Sequence, residues 1–306
     1  MKKLLLKSLL FFFILIVTVT LILFLPPVNS IKNTDIFALP EKDKLLKSTI
    51  GPRIIIIGGS NTSCGLNSQM IKDSLKFNPI NTGIHAGIGL KFMLSHNLNF
   101  IRPNDIIIVS PEYQQFYNQS ANGDLILVSI LVDVLKQTKD CKLDQLFKLL
   151  KYVPEYCAAK LQLWEYFEKK DTTDNYKRSF NQYGDAWPVS HQKNIPLYGV
   201  SGNFNSEALQ ALKSFNEAIL KRNARLFITF PGYQNMSYNS SIPQIKEVQQ
   251  RLQKNGFILL GTPERYKMDD SLISNTPYHL IKRGVDYRTS LLIEDLKKQL
   301  SIKKTR

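Results

Sequence analysis

Acidic residues are scarce in this chain: 25 Asp and Glu stand against 40 Lys and Arg in 306 residues, a formal charge of +15. Cysteine is scarcer still. Three Cys exclude a disulfide-framework mini-protein and a four-cysteine zinc module. Glycine and proline, at 15 and 14, are too few for a low-complexity or collagen-like chain, and no solenoid repeat occurs. The four histidines, His85, His96, His191 and His279, form no HExxH and no i, i+4 pair, so the sequence offers no metal site. A P-loop needs lysine after its second glycine, and Gly65 is followed by Leu66. Phe92 stands where a dinucleotide fingerprint starting at Gly87 needs its third glycine. No cofactor is called for. Zinc-finger spacing and aromatic–basic RNA-binding motifs are also missing, so the charge does not point to nucleic acid.

Charge is missing altogether from one stretch. Lys2, Lys3 and Lys7 precede Ser8–Leu25, 18 residues without a charge that end at Pro26-Pro27. As a helix this run spans about 27 Å, near the hydrocarbon thickness of a bilayer. The basic flank, residues 1–7, should stay cytoplasmic and send the remainder across. The reading is a single-pass signal anchor at 8–25. The alternative is a signal peptide cleaved near Val28-Asn29-Ser30, whose apolar region would be unusually long. Both put the body outside the cytoplasm, periplasmic or at the cell surface. Without its first 30 residues the chain still carries +12. A basic exported body suits anionic lipid headgroups or acidic polysaccharide as partners, and the alternative is a solvated surface with no partner. Residues 26–50 read as a polar, irregular tether.

Beyond the tether, short continuous apolar runs alternate with helical patterns. The runs are Ile54–Ile57, Ile106–Val109, Leu226–Phe230 and Phe257–Leu260, with Pro79–Asn81 as a further short piece. Continuous rather than alternating runs predict strands buried on both faces, as in a parallel sheet. Helices are expected at 68–75, 90–100, 206–220, 242–254 and 290–300. The fold class is therefore α/β: a three-layer sandwich around a mainly parallel, flavodoxin-like sheet, plus the transmembrane helix. Residues 119–200 break the rhythm and read as a helical insertion, with helical stretches at 125–135, 143–152 and 155–168, inside a domain covering 51–302. Cys141 and Cys157, exported and 16 apart, could form a disulfide. Cys64 is expected to be unpaired and structural.

The sharpest motif is IIIIGGSNTSCGLNS at 54–68. It is a buried strand that ends in two glycines and then Ser60, at the edge where open α/β sheets bind ligands. Ser60 needs a base to act as a nucleophile. His279, in TPYHLIKRGVDYRTSLLIEDL before the last helix, is the candidate. This order resembles the SGNH (GDSL-like) hydrolase family. Gly59-Ser60 matches its nucleophile block, Asn81-Thr82-Gly83 with Ala86-Gly87 its glycine block, and His279-Leu280 with Gly284 its histidine block. The resemblance implies a membrane-anchored, extracytoplasmic serine esterase or O-acyltransferase, with cell-envelope polysaccharide as an attractive substrate class. Ser60 would be the nucleophile and His279 the base. Gly59, Gly87, Asn61, His85 and Glu112 would line the site, and the N–H groups of Ser60 and Gly87 would cradle the oxyanion. Two positions depart from the family. Ser110-Pro111-Glu112-Tyr113 stands where the family carries its oxyanion-hole Asn, and Thr276 stands where it carries the acid before histidine. Asp269, Asp270 or Asp286 could orient His279, or a Ser–His dyad could operate. The competing reading is a non-catalytic carbohydrate-binding or scaffold protein on the same fold. His96 and His191 are expected on the surface or in loops.

Overall fold

The computed structural model describes residues 1–32, 34–167, 180–186, 195 and 197–301. His191, the basic tail after Ser301 and most of the polar segment 171–191 lie outside the described residues. Five strands form one all-parallel sheet: β1 (Arg53–Gly58), β2 (Asn78–Asn81), β3 (Ile106–Ser110), β4 (Arg225–Thr229) and, as its last strand, Leu259–Leu260. The strand order is β2-β1-β3-β4 and then Leu259–Leu260. Ile55 sits between Ile80 on one side and Ile107 on the other, so the isoleucine runs form adjacent central strands. A separate two-residue parallel pair joins Tyr233–Gln234 to Lys267–Met268.

The strand period of two sends alternate residues to opposite faces, and both faces are covered. Ile55, Ile57, Ile107, Val109 and Ile228 join one buried cluster with helices Leu90–Leu98, Ser206–Lys221 and Ile242–Lys254. Ile54, Ile56, Ile106, Ile108 and Phe227 join a second with helices Ser68–Leu75 and Lys282–Ser301. Full burial of an isoleucine contributes about 1.5–3 kcal/mol, which is why such runs are tolerated only at this depth.

Several elements differ from expectation for physical reasons. Of the run at 257–260 only Leu259–Leu260 pairs with β4, because glycines with positive φ, Gly256 and Gly261, bracket a short edge strand. The last helix begins at Lys282, eight residues before the expected start. Gly284 does not stop it. A Cβ there would stand 2.6 Å from the Leu272 carbonyl oxygen, so glycine serves close packing. Helix 125–135 is α only to Ser129 and continues as a π-helical stretch, Ile130–Val134. The three cysteines are free, so no disulfide joins Cys141 to Cys157.

Residues 28–50 are not an irregular tether. They form short helices at Asn29–Lys32 and Asp35–Ala38 and a longer one at Leu39–Ser48, and Val28, Ile36, Leu39 and Leu46 are buried. His96 is not on the surface either. It is buried in helix Leu90–Leu98 between Asp43 and Asp140, each 2.8 Å from a ring nitrogen. Ahead of all this runs helix Lys2–Phe24, long and apolar enough to cross a membrane, with none of its most apolar stretch buried.

Candidate functional site

β1 delivers Ser60 to the carboxyl edge of the sheet through Gly58-Gly59. A Cβ on Gly59 would lie 2.9 Å from Glu112 Oε1 and 3.0 Å from Ala86, so only glycine lets the loops after β1, β2 and β3 close on one another. Ser60 then opens a one-turn helix, Ser60–Ser63, closed by the Cys64 N–H on the Ser60 carbonyl at 2.9 Å. The helix expected at 68–75 follows as Ser68–Leu75, with the Asn67 side chain accepting from the Met70 N–H at 3.2 Å. Ser60 is half-buried, and among the described residues no hydrogen bond engages its hydroxyl.

A fully buried polar layer fixes this turn from behind. Asn61 donates through Nδ2 to Ser110 O at 3.2 Å and Glu112 Oε1 at 3.4 Å, and its Oδ1 accepts from Ser110 Oγ and Arg288 at 3.2 Å. Asn61 is therefore a scaffold, not a free donor. Arg288, in the last helix, also donates to the Asn61 carbonyl and, at 2.9 Å, to Ser110 Oγ. Burial pulls its guanidinium down to about 10. Arg288 is a site residue that no sequence motif marks. The signal was there, because Val285, Arg288, Leu292 and Leu296 share one face of a helix whose other such positions are apolar.

Glu112 occupies the block where an asparagine was expected. Burial raises its carboxyl pKa, and the side-chain and backbone N–H groups of Asn61 oppose the rise. It also accepts from the Gln115 N–H while Gln115 Oε1 accepts from its own N–H at 3.1 Å, a capping box. The carboxylate is thus bound into the protein. Gly87 also differs from expectation: its N–H donates to His85 Nδ1 at 3.0 Å and is engaged. That bond makes Nδ1 of His85 an acceptor, so the proton of the neutral ring lies on Nε2.

His279 lies in a loop pinned to the same edge. The Gln234 N–H donates to the Pro277 carbonyl at 2.9 Å. Tyr278 stacks on Tyr233 at 4.5 Å between centroids, and Tyr233 meets Tyr113, the neighbour of Glu112, at 5.4 Å. The partner of His279 Nδ1 is Asn275 Oδ1, at 2.9 Å. An amide oxygen only accepts, so the ring proton sits on Nδ1 and Nε2 carries the lone pair. Burial, with the neighbouring His85 as a smaller contribution, lowers the His279 pKa to about 4. The ring is a neutral base at pH 7. Of the carboxylates considered for this role, Asp286 instead accepts from Asn67 at 2.9 Å and pairs with Lys282. Asp269 caps its own turn through the Ser271 N–H at 2.9 Å. Asp270 has a buried Oδ1 without a partner among the described residues. Asn275 had no sequence signal, since it lies outside the family's block spacing.

The N-terminal segment also reaches this edge. Lys42 is buried and donates to the carbonyls of Asn81 at 3.2 Å, Gly184 at 2.8 Å and Gly83, and burial lowers its amine to about 7. Asp35 is raised by burial and drawn back by His85 and Lys42. Cys64 is pushed up to about 11 by burial and stays a thiol. Outside the Glu112–Gly87 wall opens a cleft of about 460 Å³, lined by Gln114, Gln115, Asn118, Gln119, Lys151 and Tyr152 among others. Among the described residues no group of three or more His, Cys, Asp or Glu is placed to hold a metal.

No protein-family model matches the chain, and no curated protein matches it at a significant level.

Proposed function

We propose that the chain is a membrane-anchored serine esterase or O-acyltransferase of the SGNH-like type, with its body outside the cytoplasm. The observation that carries this reading is the hydrogen bond of His279: its Nδ1 proton is held by Asn275 Oδ1, which leaves Nε2 as an acceptor on a neutral ring. Supporting it are the strand order with Ser60 at the carboxyl end of β1, which fits a three-layer, flavodoxin-like sandwich.

In this reading Ser60 Oγ attacks an ester carbonyl while His279 Nε2 takes its proton. Asn275 takes the orienting part that an aspartate has in the family, without the negative charge. The oxyanion is met by the Ser60 N–H and by His85 Nε2–H, since Gly87 is engaged and Glu112 is bound to Asn61. Collapse releases the alcohol, which receives the proton from His279, and leaves Ser60 acylated. Water or a second alcohol then attacks the acyl group and returns Ser60 Oγ–H. The cleft beside Glu112, rich in amides and carrying Tyr152, suits a hydroxyl-rich acceptor such as a sugar. That same lining favours the second reading, a carbohydrate-binding protein without catalysis.

A fluorophosphonate probe separates the two. Ser60 should displace fluoride and become labelled, and His279→Ala should slow labelling by ~10³-fold or more, with Ser60→Ala abolishing it. Equal labelling of all three proteins leaves the binding reading.

A further inference from the structure

The insertion after β3 carries an apolar surface that the proposed reaction does not use. Leu161, Leu163, Trp164 and Phe167 are exposed in sequence proximity, Trp164 at 65% and Phe167 at 84%. Such a cluster on a basic, exported body calls for a partner. Its place relative to the anchor helix identifies which.

The insertion grips the outgoing end of Lys2–Phe24. Lys160, fully buried, donates to the carbonyls of Leu23 at 2.9 Å and Leu25 at 2.6 Å and pairs with Asp133 at 2.8 Å. These carbonyls are ones the helix end leaves without an intrahelical partner. Tyr166 donates to the Pro26 carbonyl at 2.9 Å, and the Ser30 N–H donates to Glu165 at 2.9 Å. Helix Val153–Lys160 packs against the anchor, and Val19, Ile22 and Leu23 are partly covered. Coverage therefore begins about six residues before Leu25. At 1.5 Å per residue this is roughly 9 Å along the axis, the depth to which interfacial helices enter a bilayer. A bilayer that holds the anchor must meet the element fastened to its last turns. Trp and Tyr at this level are the residues that belong at a headgroup boundary.

We propose that Leu161, Leu163, Trp164 and Phe167 form a second membrane contact, seated in the lipid interface beside the anchor. This rests on the reading of Lys2–Phe24 as a membrane span. The insertion also lends Lys151 and Tyr152 to the cleft near Glu112.

The test uses the full chain carrying Trp187→Phe, so that Trp164 is the one indole, in phosphatidylcholine–phosphatidylglycerol vesicles with or without bromines on the upper acyl chain. Flotation reports the anchor, and quenching of Trp164 reports the seat. The expected result is a floating chain whose emission falls about twofold or more on bromination. Adding Leu163→Ser and Phe167→Ser should abolish most of that quenching while flotation persists, because both side chains are exposed and the anchor is intact. A floating chain with unquenched Trp164, including one whose patch is covered by a second copy, overturns the proposal and leaves the anchor standing. Quenching unchanged by the two serines overturns it as well. A chain that does not float removes both the anchor and the seat.

Discussion

His96 and His279 are both withdrawn from solvent, and their surroundings drive them in opposite directions. Desolvation disfavours the charged ring in each case. Around His96, Asp43 and Asp140 overcome it, and the pKa is raised. Both ring nitrogens face carboxylate oxygens, an arrangement that favours the doubly protonated ring. It ties helix Leu39–Ser48, helix Leu90–Leu98 and the insertion into one unit. Around His279 the partner is an amide, which fixes the tautomer without stabilising the charge, and the pKa drops to about 4. A carboxylate makes a structural clamp of one histidine. An amide leaves the other as a base.

The largest effect is expected at His96. Removing one member of a buried charged cluster should destabilise the fold by ~3 kcal/mol, because the carboxylates are left without their counter-charge. His96→Ala or His96→Gln should lower the denaturation midpoint accordingly, with the labelling of Ser60 in the still-folded protein little changed. The pH dependence has a defined sign. A raised folded pKa means that the contribution of His96 is full below the unfolded value of about 6.5 and is lost as pH climbs through the raised one. The stability gap between wild type and His96→Gln should therefore narrow on going from pH 6 to alkaline pH. A gap that widens there would show that the ring is neutral.

Asn275 sharpens the comparison with a smaller effect. Asn275→Ala frees the ring to rotate and should lower the Ser60 labelling rate by up to ~10²-fold without moving the midpoint of unfolding much. Asn275→Asp places a carboxylate on the His279 ring, the situation His96 already has. Its acid limb should move up from about 4 toward the ordinary histidine range. An unmoved acid limb in Asn275→Asp would mean that this contact does not set the protonation of His279.

How much of this was legible in the sequence follows from the kind of interaction involved. Ile54–Ile57 and Ile106–Val109 announced buried parallel strands because four consecutive branched apolar residues tolerate little else. Helices 68–75 and 242–254 have the expected bounds, and in the structure Asn67 caps the first while Pro243 sits in the first turn of the second. The packed segment 28–50 was not legible, since one of its most buried side chains is a lysine, Lys42, satisfied by three carbonyls from distant positions in the chain. The burial of His96 is illegible for the same reason: its partners lie 53 and 44 positions away. Ser60 and His279 were visible as motif residues, whereas Asn275, Arg288 and the engagement of Gly87 by His85 are matters of hydrogen-bond geometry.

The central claim is that His279, neutral and oriented by Asn275, is the base for Ser60. The measurement that meets it most directly is the pH dependence of Ser60 labelling by a fluorophosphonate, compared between wild type and His279→Ala. A folded pKa of about 4 predicts a rate that stays level as pH falls from 7 toward 5 and declines only near 4, with that limb absent from the residual rate of the variant. A rate that halves near pH 6.5, or one that His279→Ala leaves unchanged, would contradict the account.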